Sequence, residues 1–168
     1  MSNSLELQVG QLLHKYGLKL ALAESCTGGL LGSRITDVPG SSEYFLASVV
    51  AYAYEAKAGL LGVSWDTLNS KGAVSRETVL EMARGVRNLM KVDIAISVSG
   101  IAGPGGGTPE KPVGTTWIGF VADDGEWAKI FQFSGDREAN KASTVDAALR
   151  MLLDYLQKSN LDANNDTT

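Results

Sequence analysis

Residues 23–29 bring nucleophilic side chains and glycines together. An apolar run ends at residue 23, and the next six residues read Glu24-Ser25-Cys26-Thr27-Gly28-Gly29. This order is typical of a strand, a tight turn and the first turn of a helix. The free backbone N–H groups of such a turn and the helix dipole favour negative charge, which suits a nucleophile or an anion site at Ser25. The alternative is that Ser25 and Thr27 only cap the helix.

The sequence offers few bases for Ser25. Its one histidine, His14, lies among polar neighbours in an amphipathic segment, so we expect a solvated helix residue rather than part of a Ser-His-Asp triad. An amine remains: Lys57 follows Tyr52 by five positions, in the first turns of a predicted helix. Burial and the positive helix end would lower the pKa of Lys57, as a general base requires. The alternatives are an exposed Lys57 and a Tyr52 that is only a buried aromatic.

A second predicted strand ends at Ser99 and runs into a glycine-rich loop, residues 100–107. The loop could approach a phosphate or a flat ring with its backbone, but it matches neither the phosphate-binding loop pattern nor the dinucleotide pattern. Arg137, where a strand meets the last helix, could bind a phosphate or carboxylate in bidentate fashion, or could be a surface arginine. Cys26 could rival Ser25 as nucleophile, although a small buried thiol is the commoner case.

Composition excludes several classes of protein. With one cysteine and one histidine, the chain can form neither an internal disulfide nor a usual zinc ligand set, so we expect no metal and no cofactor. The net charge is −4 and the basic residues are scattered, which argues against a nucleic-acid partner. No apolar run could span a bilayer and the start lacks signal-peptide features, so we expect a cytoplasmic location without membrane contact.

The elements that must position these residues follow from hydrophobic periodicity and turn signals. Predicted helices cover residues 5–16 with Gly17 as C-cap, 28–36, 55–61 with Gly62 after it, a segment after the N-cap Ser75 up to about 90, and 137–156. Predicted strands cover a stretch ending near 23, a buried run at 44–52, residues 93–99, and a hairpin of 114–121 with 127–133; residues 64–70 are predicted as a turn.

This alternation predicts an α/β fold, a three-layer α/β/α sandwich with a mixed central sheet. We expect one domain over residues 1–158 and a polar, disordered tail over 159–168. Sites in such sheets lie at strand ends, so the loops at 25–29 and 99–107 are expected to face one pocket.

Six motifs, in this order, closely resemble the CinA C-terminal domain family, which includes stand-alone nicotinamide-nucleotide amidohydrolases of the PncC type. The motifs are Ala23-Glu24-Ser25-Cys26-Thr27-Gly28-Gly29, Tyr52 with Glu55-Ala56-Lys57, Gly72-Ala73-Val74-Ser75, Ser99-Gly100-Ile101-Ala102-Gly103-Pro104, Lys111-Pro112-Val113-Gly114-Thr115 and Ser134-Gly135-Asp136-Arg137. The resemblance covers residues from about 5 to 156.

The resemblance implies a metal-free deamidase that converts nicotinamide mononucleotide and water to nicotinic acid mononucleotide and ammonia in pyridine nucleotide salvage. By position, Ser25 would be the nucleophile, Lys57 its base and Tyr52 a hydrogen-bonding helper or proton relay. Backbone N–H groups near Thr27 to Gly29 would hold the oxyanion.

Other residues would hold the substrate if the resemblance carries over. These are Thr27, Gly28 and Gly29 at the turn, Ser99, Gly100 and Gly103 at the second loop, and Arg137, the expected partner of an anionic group. The resemblance also implies a homo-oligomer. Two alternatives stay open, namely an amidase acting on another small amide and a catalytically idle nucleotide-binding or regulatory module.

The sequence departs from the family pattern beside the base. Ala53 and Tyr54 stand where the family commonly has Ser-Asn, and Ser99 stands where many members have Thr. We expect Tyr54 to narrow the pocket or to change the hydrogen bonds of Lys57, and so to affect substrate preference or activity. We expect no counterpart of the N-terminal domain of full-length CinA proteins, so the activity of that domain is not inferred.

Overall fold

The computed structural model describes residues 3–165. In chain order the elements are α1 (Leu5–Tyr16), β1 (Leu20–Glu24), α2 (Leu30–Thr36), a 3₁₀ turn (Ser41–Glu43), β2 (Phe45–Val50), α3 (Tyr54–Leu61), α4 (Trp65–Lys71), α5 (Arg76–Met90), β3 (Ile94–Gly100), β4 (Thr115–Ala122), β5 (Gly125–Gln132) and α6 (Arg137–Asn165). No helix among these residues is both long and apolar enough to cross a membrane.

The strands form one mixed sheet in the order β2-β1-β3-β4-β5. β1 pairs in parallel with both β2 and β3, while β4 is antiparallel to β3 and β5. The carboxyl ends of β1, β2 and β3 therefore meet at one edge of the sheet, where β4 begins and β5 ends. The chain leaves β1 for β2 on one side and later returns to β3 on the other, which is the switch point where open α/β sheets place their sites.

Side-chain alternation along the strands builds a core on each face of the sheet. On β1, Leu20 and Leu22 face a core shared with α1, α2 and α6, whereas Ala21 and Ala23 face a second core shared with α3, α4 and α5. The predicted three-layer α/β/α sandwich with a mixed sheet is confirmed.

Helix boundaries follow the predicted caps. Gly17 ends α1 in the left-handed region with a φ of 66°, as expected of a C-cap glycine. The Ser75 hydroxyl accepts from the Thr78 N–H at the start of α5 over 3.2 Å, as expected of an N-cap serine. These two local signals correctly located the end of α1 and the start of α5.

Four predicted features were wrong. The strand predicted as buried, β2, is an edge strand that leaves Leu46 and Val50 exposed. Residues 65–71 are helical rather than a turn. α2 begins at Leu30 instead of residue 28, because Gly28 and Gly29 have φ values of 60° and 103°. α6 continues to residue 165, so the part of the predicted disordered tail at 159–165 is helical, and 166–168 lie outside the described residues.

Candidate active site

Ser25 directly follows β1 and is almost fully buried. Its N–H donates to the Val98 carbonyl of β3 over 3.1 Å, which extends the parallel pairing by one residue and fixes the start of the turn. Its Oγ lies 2.9 Å from the Lys57 Nζ. The structure thus brings together the predicted nucleophile and its predicted base, from segments 32 residues apart.

Lys57 is 0% exposed, an unusual environment for a lysine. It occupies the first turns of α3, and its Nζ contacts the Ser25 Oγ and the main-chain carbonyls of Ala51 and Tyr52, each at 2.9 Å. The predicted alternative of a solvated Lys57 is therefore wrong.

Burial lowers the pKa of the Lys57 amine from 10.5 to about 8, because desolvation disfavours its charged form. A neutral amine has two N–H donors and one lone pair. Since the two carbonyls can only accept, they take both hydrogens and leave the lone pair facing the Ser25 hydroxyl. Lys57 is thereby oriented as an acceptor for the proton of Ser25.

Some backbone N–H groups of the turn after Ser25 form hydrogen bonds within the protein and others do not. The Gly28 N–H donates to the Ser25 carbonyl and the Leu30 N–H to the Thr27 carbonyl, both over 3.1 Å. Among residues 3–165, no protein acceptor is found for the N–H groups of Cys26, Thr27 and Gly29. These three N–H groups are therefore available to a ligand, whereas the Gly28 N–H, which was also expected to hold the oxyanion, already has a partner.

Glu24 is a further residue of this site, and the sequence pattern did not predict its role. It is fully buried at the end of β1, and its carboxylate accepts four hydrogen bonds. The donors are the Thr27 hydroxyl at 2.6 Å, the Leu31 N–H at 2.9 Å, the Gly32 N–H at 3.0 Å and the Ser48 hydroxyl at 2.5 Å. The available signal was an acidic residue at the end of an otherwise apolar strand, immediately before the turn.

The Thr27 side chain points to this carboxylate and is itself buried. Its hydroxyl is therefore occupied inside the protein, and only its backbone remains available to a ligand. Cys26 is buried as well, and burial raises the pKa of its thiol to about 11. Because the thiolate is the reactive form, this shift argues against Cys26 as the nucleophile.

Arg137 opens α6 and reaches back across the same edge of the sheet. Its Nη1 donates to the Gly103 carbonyl over 2.7 Å, and its Nη2 donates to the Tyr52 hydroxyl over 3.1 Å. Tyr52 is 60% exposed, so the alternative of a buried aromatic is wrong. The structure brings the carbonyl of Tyr52 to Lys57 and its hydroxyl to Arg137.

A pocket of about 580 Å³ separates the glycine-rich loop from the start of α6. It is lined by Ala102, Gly103, Pro104, Val113, Gly135, Asp136, Arg137 and Glu138. Asn140, which the sequence pattern did not indicate, joins two of these lining residues: it donates to the Ala102 carbonyl and accepts from the Gly135 N–H, both over 3.0 Å.

Ser99 and Gly100 end β3 beside the Ser25 turn. Ser99 is buried and follows Val98, the residue that accepts from the Ser25 N–H. A Cβ at Gly100 would lie 2.4 Å from the Thr116 Oγ1, so glycine permits the close approach of β4 there. Both residues lie at the predicted edge.

Tyr54 is not itself a hydrogen-bond partner of Lys57. Its hydroxyl accepts from the Ala73 N–H over 3.2 Å, and its ring packs 6.4 Å from that of Trp65. The three partners of the Lys57 Nζ come from other positions. An effect of Tyr54 on substrate preference stays a prediction.

The described part of the chain offers little other reactive chemistry than the Ser25 and Lys57 pair. Residues 3–165 contain no group of three His, Cys, Asp or Glu side chains that could hold a metal ion. The one histidine, His14 of α1, is exposed, and its Nδ1 contacts the Glu43 carboxylate of the 3₁₀ turn. The serine and lysine pair is therefore the reactive arrangement that this edge of the sheet offers.

Among known proteins, this chain is similar in sequence to curated CinA-like proteins. A CinA-like protein of Desulforapulum autotrophicum is 53% identical over 151 residues, covering 88% of this chain and 36% of that protein. A second CinA-like protein, from Chlorobium limicola, is 49% identical over 160 residues, covering 92% of this chain and 37% of that one. The chain thus spans less than two-fifths of these curated relatives.

Solved structures match over nearly their whole length. The crystal structure of a CinA superfamily protein from Klebsiella pneumoniae superposes with a TM-score of 0.88 at 36% identity, covering 92% of this chain and 96% of that one. A competence/damage inducible protein from Agrobacterium tumefaciens gives a TM-score of 0.86 at 37% identity, covering 94% and 99%. The family model of the CinA C-terminal domain matches residues 2–156. The chain belongs to the CinA C-terminal domain family.

Proposed function

We propose that this protein hydrolyses a carboxamide, with Ser25 as nucleophile and Lys57 as general base. The observation that carries the proposal is the 2.9 Å contact between the Ser25 Oγ and a fully buried Lys57 Nζ whose other two contacts are carbonyl oxygens. A lysine with a pKa of about 8 has a useful neutral fraction near physiological pH.

In the first half-reaction, the Ser25 Oγ attacks the carboxamide carbon and its proton passes to the Lys57 Nζ. The carbonyl oxygen becomes an oxyanion, and the free N–H groups of Cys26, Thr27 and Gly29 are the donors proposed to stabilise it. Lys57 then gives the proton to the amide nitrogen as the C–N bond breaks. Ammonia leaves, and an ester on Ser25 remains.

In the second half-reaction, water attacks the ester carbon while Lys57 accepts one of its protons. The C–O bond to Ser25 breaks, and Lys57 returns the proton to the Ser25 Oγ. The products are a carboxylic acid and ammonia, and the enzyme regains its starting protonation.

The proposed substrate is nicotinamide mononucleotide, giving nicotinic acid mononucleotide. Support comes from the family resemblance and from Arg137, a cation at the site edge suited to the phosphate. Tyr52 is proposed to assist by holding Arg137 with its hydroxyl and Lys57 with its carbonyl. Ser99, Gly100 and Gly103 are proposed to line the substrate site, with the cytoplasm as the place of action.

The test is ammonia release from nicotinamide mononucleotide by the purified protein, its Ser25→Ala and Lys57→Ala variants, and a Lys15→Ala control. Lys15 is an exposed lysine of α1, near the amino-terminal ends of the parallel strands. We expect turnover by the wild type and the control, and loss of at least about a thousandfold in both site variants. Circular dichroism checks that all four proteins are folded.

Two results would contradict the proposal. Wild-type turnover that survives Ser25→Ala would remove the nucleophile assignment. A folded wild type without turnover would remove nicotinamide mononucleotide as substrate, and a panel of other small amides would then separate a different amidase from a non-catalytic module.

A further inference from the structure

We propose that Glu24 is a positioning residue that fixes the turn carrying Ser25 and its oxyanion donors. The inference rests on the proposed nucleophile. It assigns to the buried carboxylate the task of holding the backbone of residues 25–29 in the conformation that catalysis needs.

Strand alternation separates Glu24 from the base. Glu24 follows Leu20 and Leu22 on the face of β1 that packs against α2, whereas the next residue, Ser25, meets Lys57 from the α3 side. Across residues 3–165, no lysine or arginine forms an ion pair with Glu24. The carboxylate is therefore in direct contact with the turn and not with Lys57.

The four donors to Glu24 enclose the turn. Thr27 lies inside the turn, Leu31 and Gly32 begin the helix that follows it, and Ser48 belongs to the neighbouring strand β2. One side chain at the end of β1 thus ties together the turn, the first turn of α2 and the edge strand. A buried carboxylate is costly unless it is fully hydrogen-bonded, so these partners are held firmly.

The close approach of α2 fits this role. A Cβ at Gly32 would lie 3.0 Å from the Ser48 Cβ and 3.3 Å from the Glu24 Oε2. A glycine there lets the helix N–H groups reach the carboxylate. The free N–H groups of Cys26, Thr27 and Gly29 lie in the stretch of chain between these fixed points, so their directions depend on them.

The test measures covalent labelling of Ser25 by a fluorophosphonate, which requires the nucleophile and oxyanion donors but not the natural substrate. Labelling rates per folded molecule are compared for the wild type, Glu24→Gln and Ser48→Ala across pH 6 to 10. Glu24→Gln keeps the shape of the side chain, but its amide NH₂ group then faces N–H and O–H groups that donated to the carboxylate. We expect its rate to fall by about tenfold or more, and that of Ser48→Ala by a smaller factor.

The pH profile separates positioning from other roles. Because Glu24 acts on the turn, the midpoint of the labelling profile is expected to stay at the wild-type value while the plateau falls. A wild-type plateau in Glu24→Gln, even with a lowered melting temperature, would mean a merely structural role and overturn the proposal. A midpoint shifted by about one pH unit or more would mean action through Lys57 and would overturn it too.

A second pair covers the case in which Glu24→Gln does not fold. Thr27→Val removes one donor to the carboxylate without changing the side-chain shape, and Thr27→Ser keeps the hydroxyl. We expect slow labelling in the valine variant and recovery in the serine variant. Equal labelling of the valine variant and wild type would overturn the proposal.

The failure of the proposed function gives a different result. A wild type that is labelled at Ser25 in a Lys57-dependent way, but releases no ammonia from nicotinamide mononucleotide, has a wrong substrate assignment, and the Glu24 comparison still decides the positioning role. A folded wild type that is not labelled at Ser25 overturns both.

Discussion

The proposed mechanism depends most on Lys57, a lysine that its neighbours bury completely. The Lys57 amine has three partners, of which two are carbonyl oxygens and one is the hydroxyl it is proposed to activate. An unpaired buried ammonium would be strongly unfavourable, and the shift of its pKa to about 8 is how the protein accommodates it. Burial thus lowers the pKa of the proposed base, and two main-chain carbonyls orient its amine.

The pH dependence of turnover follows from this pKa. As the proposed general base, Lys57 would act in its neutral form, so kcat/KM for ammonia release is expected to rise about tenfold per pH unit below pH 8 and to level off above it. Initial rates from pH 6 to 10 measure this, with melting temperatures as a control for folding. A rate independent of pH across this range would contradict the assignment of Lys57 as base.

The same burial affects stability. The folded pKa of about 8 lies below the unfolded value of 10.5, so between these pH values the unfolded chain binds more protons and wild-type stability rises with pH. Relative to a Lys57→Met variant, the free energy of unfolding of the wild type is expected to increase by roughly 2 to 3 kcal/mol between pH 7 and pH 10. Urea unfolding of both proteins at the two pH values measures this.

In the methionine variant the carbonyls of Ala51 and Tyr52 lose their hydrogen-bond donor, which lowers stability by the same amount at both pH values. This loss cancels because only the change with pH is compared. A difference between the two proteins that stays the same at both pH values would mean that Lys57 is not buried in solution.

At the scale of elements, α3 is placed by its contact with α5. A Cβ at Gly85 of α5 would lie 1.9 Å from the Leu61 carbonyl at the end of α3, so only glycine permits this approach. Since α3 carries Lys57, the spacing of these two helices also sets the position of the base.

Gly85→Ala is therefore expected to destabilise the protein by about 2 kcal/mol or more and to lower kcat/KM, because α3 must shift. Gly59→Ala is the matched control. Gly59 lies in α3 with nothing within 4 Å of an added Cβ, and alanine there is expected to stabilise by about 0.5 to 1 kcal/mol. Thermal unfolding and ammonia release compare the two, and equal effects would contradict the packing argument.

The elements also show which features the sequence could predict. Caps are local, so Gly17 and Ser75 marked helix ends correctly. The position of β2 in the sheet is not local, because the same apolar run fits a central or an edge strand. Helix α4 was missed because it has one buried apolar residue, Leu68, and a polar composition that also suits a turn.

For the candidate site, as for the fold, the sequence predicted only part of what the structure shows. Ser25 and Lys57 came from residue types and family motifs, and the structure brings them together. Glu24 escaped notice because its role depends on how the turn and the start of α2 fold back toward it, and on Ser48, 24 residues away in β2. Asn140 escaped notice because its partner Ala102 is 38 residues away in the glycine-rich loop. The single domain, the homo-oligomer and the absence of a nucleic-acid partner stay predictions of the sequence.

At the scale of the whole molecule, three separate segments converge on Arg137. It links the start of α6 to the glycine-rich loop through Gly103 and to the end of β2 through Tyr52. The mixed sheet makes this possible, since β5 ends at the same edge as the three parallel strands. An anion bound there would touch parts of the chain that no local motif connects.

Replacing Arg137 tests whether it binds the phosphate. Arg137→Ala is expected to lower kcat/KM for nicotinamide mononucleotide by about ten- to a hundredfold, with a much smaller loss for nicotinamide riboside, which lacks the phosphate. Arg137→Lys keeps the charge without the bidentate geometry and is expected to fall between. Ammonia release from both substrates measures this, and equal losses for both would instead assign Arg137 to shaping the loop.

Two of the groups that orient the Lys57 amine are main-chain carbonyls, at Ala51 and Tyr52. A carbonyl is common to every amino acid, so no single substitution at either position can delete the acceptor itself. Only a change in chain path, such as an insertion between β2 and α3, can do so. Substitution of the exposed Tyr52 ring would therefore release Arg137 and reshape the mouth of the site, while both carbonyl acceptors of the Lys57 amine stay in place.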